Sequence, residues 1–269
     1  MTYQDIDMKQ LCELVAACAD AELLPRFRRV GATAKADGSL LTEADLSMQR
    51  TLTEKLKAHW PRYPLLGEEM PVDRQQALLA NSGAGLWVLD PLDGTTNFAA
   101  GLPLFGVSLA LVQDGRVVLG VVYDPISREC FSAIAGQGAW LNGELLRLDC
   151  PHERLADCVG LVDFKRLPAA LACRLASDAP YRSQRSLGSV ALDWCWLATG
   201  RMQLYLHGAQ RLWDYGAGAL VFAEAGGAGG RLAALDGDFQ HDLTLSPRIG
   251  LAAGNAELLA KWRAWIAGP

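Results

Sequence analysis

The chain has 269 residues, of which 51% are hydrophobic and 20% charged, with a formal net charge of −5. That is ordinary globular composition, long enough for one large domain or two subdomains, and without a run of Lys or Arg it weighs against a nucleic-acid groove. The first residues lack the basic start and apolar run of a signal peptide, and no stretch nears the roughly 20 apolar residues of a membrane span, so a cytoplasmic protein is expected, with no membrane partner.

Taken in chain order, Met8, Leu11, Leu14, Val15, Cys18 and Ala21 recur at helical spacing and predict an amphipathic helix. Residues 31–39 read as a loop containing Lys35, and Thr42 as the start of a second helix with Leu46, Leu52 and Leu56 on one side. The apolar run Leu86-Trp87-Val88-Leu89 reads as a buried strand that stops at Asp90. Strands are expected at 105–112, 116–123 and 129–135, the first two joined by the hairpin signal Gln113-Asp114-Gly115. The second half alternates: strands at 159–162, 202–206 and 250–253, helices at 167–176, 190–199, 216–225 and 256–267. The first half therefore reads as α+β and the second as α/β, with a subdomain boundary near 145–151 that divides 1–147 from 148–269. The seven cysteines form no CxxC pair and read as free thiols rather than a disulfide framework or zinc site.

The chemistry concentrates in Trp87-Val88-Leu89-Asp90-Pro91-Leu92-Asp93-Gly94-Thr95-Thr96-Asn97-Phe98. Two carboxylates three apart follow a buried strand, Pro91 stiffens the turn between them, and Gly94 allows close backbone approach. Carboxylate and carbonyl oxygens suit a hard divalent cation such as magnesium, while backbone N–H groups at a turn or helix start suit phosphate. A lone Asp-x-x-Asp is more often a turn cap; the whole string favours phosphoryl chemistry. A Cys-x5-Arg spacing from Cys195 to Arg201 is discounted, because Trp196-Leu197-Ala198 between them is apolar helix rather than a phosphate loop. Taken alone, Asp45, three after Thr42, resembles half of a capping box, and Asp214 before an apolar segment resembles an N-cap.

The twelve-residue string resembles the signature of the inositol monophosphatase family, within the lithium-sensitive, magnesium-dependent sugar-phosphatase superfamily. A second family signature is similar to Trp213-Asp214-Tyr215-Gly216-Ala217-Gly218, and Gly67-Glu68-Glu69, Gly120-Val121-Val122-Tyr123-Asp124-Pro125 and Gly136-Gln137-Gly138-Ala139-Trp140-Leu141-Asn142-Gly143 also match. The resemblance runs from about Lys35 to Gly227. It implies a layered αβαβα fold with two subdomains, a homodimer, lithium inhibition, and hydrolysis of a phosphomonoester with two to three magnesium ions. By residue, it implies that Glu68, Asp90, Asp93, Asp214 and the Leu92 carbonyl hold metal. Gly94 and Thr95 would hold phosphate alongside Asp93 and Asp214, Asp45 would pair with the Thr95 hydroxyl so that the pair orients a metal-bound water, Glu68 would be catalytic as well as a metal ligand, Lys35 would lie on a loop near the site, and Gly188-Ser189 would start a substrate-side helix.

One position departs from the pattern. Seven before Asp214, where inositol phosphatases carry an acidic residue that contacts sugar hydroxyls, stands His207. An imidazole offers one donor and one acceptor where a carboxylate offers acceptors only. Inositol 1-phosphate is the default substrate implied; adenosine 3′,5′-bisphosphate, fructose 1,6-bisphosphate or histidinol phosphate are the alternatives, with Arg185 and Arg211 as candidate contacts for a more anionic one. A non-catalytic binding or regulatory relative is the rival of a different class.

Overall fold

The computed structural model describes residues 5–29, 31–34 and 40–268. A helix α1 (Met8–Glu22) opens it, capped by Asp7, whose carboxylate accepts from Lys9 N at 2.9 Å. A short antiparallel pair, β1 (Ala32–Ala34) and β2 (Leu40–Thr42), leads into α2 (Glu43–His59). Residues 32–34, expected as loop, are therefore strand.

Seven strands form the first sheet in sequential order: β3 (Leu65–Gly67), β4 (Leu86–Asp93), β5 (Gly106–Gln113), β6 (Arg116–Asp124), β7 (Glu129–Ile134), β8 (Gly138–Leu141) and β9 (Glu144–Leu146). All neighbours are antiparallel except β3 and β4. Two helices, α3 (Val72–Ala80) and α4 (Thr95–Ala100), flank β4 in the chain. Six strands form the second sheet: β10 (Val159–Asp163), β11 (Ser183–Arg185), β12 (Leu204–Gln210), β13 (Ala228–Leu232), β14 (Phe239–Gln240) and β15 (Arg248–Ala253), in the order β11-β10-β12-β15-β13-β14. Its helices are α5 (Ala169–Ser177), α6 (Val190–Ala198), α7 (Leu212–Glu224) and α8 (Ala256–Ala267).

The period of two along each strand sorts side chains into three cores. On β4, Trp87 and Leu89 face α1 and α2 together with Val107, Leu109 and Val121, while Leu86 and Val88 face α6 and α7. Covered on both faces, β4 is apolar without alternation. The far side of the second sheet, with Val162, Leu204, Leu206 and Leu251, is closed by α5 and α8 through Leu175 and Trp262. The layers run helix, sheet, helix, sheet, helix: the αβαβα arrangement. In its middle, Gly120 lets α7 approach so closely that a Cβ there would meet Ala217 O at 2.9 Å. All seven cysteines are free, and none of the described helices is long and apolar enough to cross a membrane.

Candidate active site

Strand β4 does not stop at Asp90. It continues through Pro91 to Asp93, with an irregular register between Asp90, paired with Ser108, and Asp93, paired with Gly106. The Asp90 carboxylate folds back to accept from Leu92 N at 3.0 Å. Gly94 then turns the chain with φ +94°, and α4 begins at Thr95. Glu68 arrives beside this end because β3 runs parallel to β4, Gly67 opposite Leu89.

From the second half of the chain, Asp214 enters at the third position of α7, its Oδ2 accepting from Arg211 N at 2.7 Å. It is a first-turn residue closing back on the cap, not the N-cap itself, because α7 starts four residues earlier than its apolar pattern suggests. Ser189 caps α6 and donates its hydroxyl to Asp93 Oδ2 at 2.6 Å, where Ala191 N also donates at 2.6 Å.

Glu68, Asp90, Leu92, Asp93, Gly94, Thr95, Gly188, Ser189, His207 and Asp214 thus line one cavity of about 330 Å³. Glu69 lines the neighbouring cleft, half-buried. Asp45 stands behind the cavity wall. It accepts from Thr42 N at 2.8 Å and Thr42 Oγ at 2.6 Å, so the capping box is formed, and also from Thr95 Oγ at 3.1 Å. The Thr95 hydroxyl is also 2.9 Å from Leu92 O; with one proton it serves one acceptor at a time. Lys35 lies outside the described residues.

Electrostatics set this cavity apart. Burial, then the charges of Glu68, Asp93 and Asp214, pushes the Asp90 carboxyl well above its ordinary range. Burial followed by Asp93 does the same to Asp214. Burial raises Asp93 also, against the pull of its bonds from Ser189 and Ala191, and raises Asp45 against its bonds from Thr42 and Thr95. Carboxylates that raise one another's pKa are short of positive charge. Four carboxylates and a carbonyl form the hard oxygen set that magnesium takes, so in donor chemistry the residues fit such an ion. As the side chains stand, no three His, Cys, Asp or Glu among the described residues are gathered closely enough to hold one. Oxygens of Asp90, Asp93 and Asp214 are instead turned to backbone N–H groups.

Several residues of this wall carry no motif signal in the sequence, Asp163, Lys165, Arg166 and Asp193 among its charged ones. Asp163 ends β10, Arg166 follows it, and Asp193 lies on α6; all line the cavity. Asp193 is buried, with Oδ1 lacking a hydrogen-bond partner, and burial followed by Asp93 and Asp163 raises its carboxyl well above the ordinary value. The available signal was a lone acid in an apolar segment, at 163 and again at 193. Of the basic candidates, Arg211 lines the adjacent cleft, whereas Arg185 is exposed and bonded to Ser183 and Gln184. Cys195 is buried in α6 and Arg201 pairs with Glu129 at 2.7 Å, so that spacing forms no thiol-phosphatase loop.

Comparison with known proteins supplies the chain's relatives. The chain is 36% identical over 200 residues to the Nus factor SuhB of Pasteurella multocida, covering 72% of this chain and 73% of that one. It is 36% identical over 199 residues to inositol monophosphatase 1 of Solanum lycopersicum, covering 72% of each. The solved structure of an IMPase from Thermotoga maritima superposes with a TM-score of 0.79 at 29% identity over 97% of both chains. The model of the inositol monophosphatase family matches residues 7–264, and the chain belongs to that family of phosphatases.

Proposed function

We propose that the chain is a magnesium-dependent hydrolase of a small phosphorylated polyol or sugar, inositol 1-phosphate first among them, and that it works as a cytoplasmic homodimer. The observation that carries the reading is the meeting of Glu68, Asp90, Asp93 and Asp214 on one cavity with the Asp45–Thr95 pair at its edge. Glu68, Asp90, Asp93, Asp214 and the Leu92 carbonyl would hold two to three magnesium ions. Bound there, magnesium supplies Lewis-acid charge against the phosphoryl oxygens and lowers the pKa of an attacking water.

The chain's own groups do the rest. Backbone N–H groups of Gly94 and Thr95 hold phosphate oxygens at the start of α4. The Thr95 hydroxyl donates to Asp45 and offers its lone pairs to the water, which fixes the line of attack. Asp45, its carboxyl raised by burial, is suited to accept the proton passed through Thr95. Ser189 and Ala191 hold Asp93 in place, and the capping box holds Asp45.

A second reading, a binding or regulatory role, is favoured by the relative named as a Nus factor. A phosphate-release screen separates the two. Inositol 1-phosphate, adenosine 3′,5′-bisphosphate, fructose 1,6-bisphosphate and histidinol phosphate are each assayed with and without magnesium. Magnesium-stimulated release, fastest from inositol 1-phosphate, is expected. Equal release from all four removes the inositol preference, and release from none supports the regulatory role.

A further inference from the structure

Part of the cavity wall comes from the second sheet, where β10 ends at Asp163 beside the middle of β12. There His207 and Asp163 stand opposite one another in the parallel register, and His207 Nε2 lies 3.1 Å from Asp163 Oδ2. The other ring nitrogen is committed as well: His207 Nδ1 accepts from Ala209 N at 3.2 Å. An acceptor at Nδ1 places the ring proton on Nε2, where it is donated to Asp163. With both nitrogens engaged inside the protein, His207 has no polar atom left for a ligand.

Asp163 has what His207 lacks. Its Oδ1 accepts from Lys165 N at 3.0 Å and its Oδ2 from His207, and each carboxylate oxygen keeps a further lone pair. Its side chain is 25% exposed against 10% for His207, and both residues line the cavity. The local backbone is shaped around this carboxylate. Gly208 sits so tightly under the 3-10 turn Phe164–Arg166 that a Cβ would come within 1.6 Å of Arg166 O, and the register of β12 slips just past His207. Burial raises the Asp163 carboxyl, but the hydrogen bond from His207, with the Lys165 N bond and the Arg166 charge, outweighs it and leaves the carboxyl below its ordinary value; it stays an ionised acceptor.

We infer that Asp163 is the residue that selects a polyhydroxylated leaving group, by accepting its hydroxyls within the cavity that Asp90 also lines, and that His207 is a positioning residue acting through Asp163. The inference rests on the polyol-phosphate reading above and names the group that enforces it. A cap-and-pair with a purely structural role would stabilise the loop without distinguishing one leaving group from another.

The test compares equilibrium binding, in magnesium, of a non-hydrolysable myo-inositol 1-phosphonate and of phenylphosphonate, which offers the same anionic head and no hydroxyls. The readout is the ratio of the two dissociation constants, which a loss of stability alone does not move. The native chain is expected to favour the inositol ligand, and Asp163→Asn to reduce that preference about tenfold, the value of one hydrogen bond to a charged group. His207→Gln, whose amide can donate from nearly the same place, is expected to keep most of the preference and His207→Leu to lose it; this pair decides the matter should Asp163→Asn fold poorly. No preference in the native chain, an unchanged ratio in Asp163→Asn, or equal ratios in the two His207 variants would overturn the inference. The expected ratios without turnover of any phosphate ester would uphold the inference and defeat the catalytic reading, so the two fail separately.

Discussion

Asp93 Oδ2 accepts the Ser189 hydroxyl at 2.6 Å across 96 residues of sequence. The same oxygen takes Ala191 N, so the end of β4 in the first sheet is fastened to the first turn of α6, in the helix layer between the sheets. Asn97 adds a second tie, donating to Leu187 O at 2.6 Å and Leu104 O at 2.7 Å. The cavity is held open by a seam between distant segments rather than by either alone.

Ser189→Ala removes both the α6 cap and the bond to Asp93. A cap is worth about 1 kcal/mol and a charge-assisted bond about 1.5–3, so chemical denaturation should show a loss of roughly 3 kcal/mol. Ser189→Thr, which keeps the hydroxyl, should lose less than half of that.

Gly94→Ala tests the turn that starts α4. With φ at +94° and a Cβ meeting Leu104 O at 2.9 Å, it carries both backbone strain and a clash with main chain. Gly115→Ala is the control, since its φ is +70° with nothing within 4 Å. The control should lose about 1 kcal/mol and Gly94→Ala at least twice as much, by thermal or urea denaturation.

Much of this was legible beforehand and some was not, for identifiable reasons. Strands and helices with a clean period stood out, as did the two signature strings. The full extent of β4 is not legible locally: Pro91 reads as a stop, whereas the strand passes through it with an irregular register. The start of α7 lies four residues ahead of its apolar run because Trp213-Asp214 interrupts the apolar pattern of the helix. Asp163 escaped notice because pairing with His207 depends on β10 and β12 being neighbours, and parallel pairing across a helix leaves no local mark. His207 could be flagged as unusual, but not what it touches.

Acid stability should depend on Glu22. Its carboxylate ties α1 to α2, accepting from Ser47 Oγ at 2.6 Å and Thr51 Oγ at 2.9 Å. The Ser47 bond, against some burial and helped by Thr51, Arg26 and Arg50, holds its pKa below the ordinary 4.5. A folded pKa below the unfolded one gives stability that is fully present above the unfolded value and disappears as pH falls through the folded one. Denaturation midpoints measured from pH 7 down to pH 3 should therefore fall less steeply in Glu22→Gln than in the native chain.

Asp45→Asn tests the proton path. An amide keeps one acceptor but cannot serve as the base, so kcat for inositol 1-phosphate should fall about a hundredfold or more while KM changes little. Thr95→Ser should retain most activity and Thr95→Val should resemble Asp45→Asn. A purely structural capping box would instead give normal kcat with lowered thermal stability.

The central claim is that the carboxylates of Glu68 just after β3, of Asp90 and Asp93 on β4 and of Asp214 on α7 close around divalent cations. Manganese uptake followed by electron paramagnetic resonance, with magnesium as competitor, tests it most directly. The account predicts saturable binding of at least two ions by the native chain, displaced by magnesium and reduced by at least one ion in Asp90→Asn. Absence of saturable uptake, or the same number of ions in Asp90→Asn as in the native chain, would contradict it.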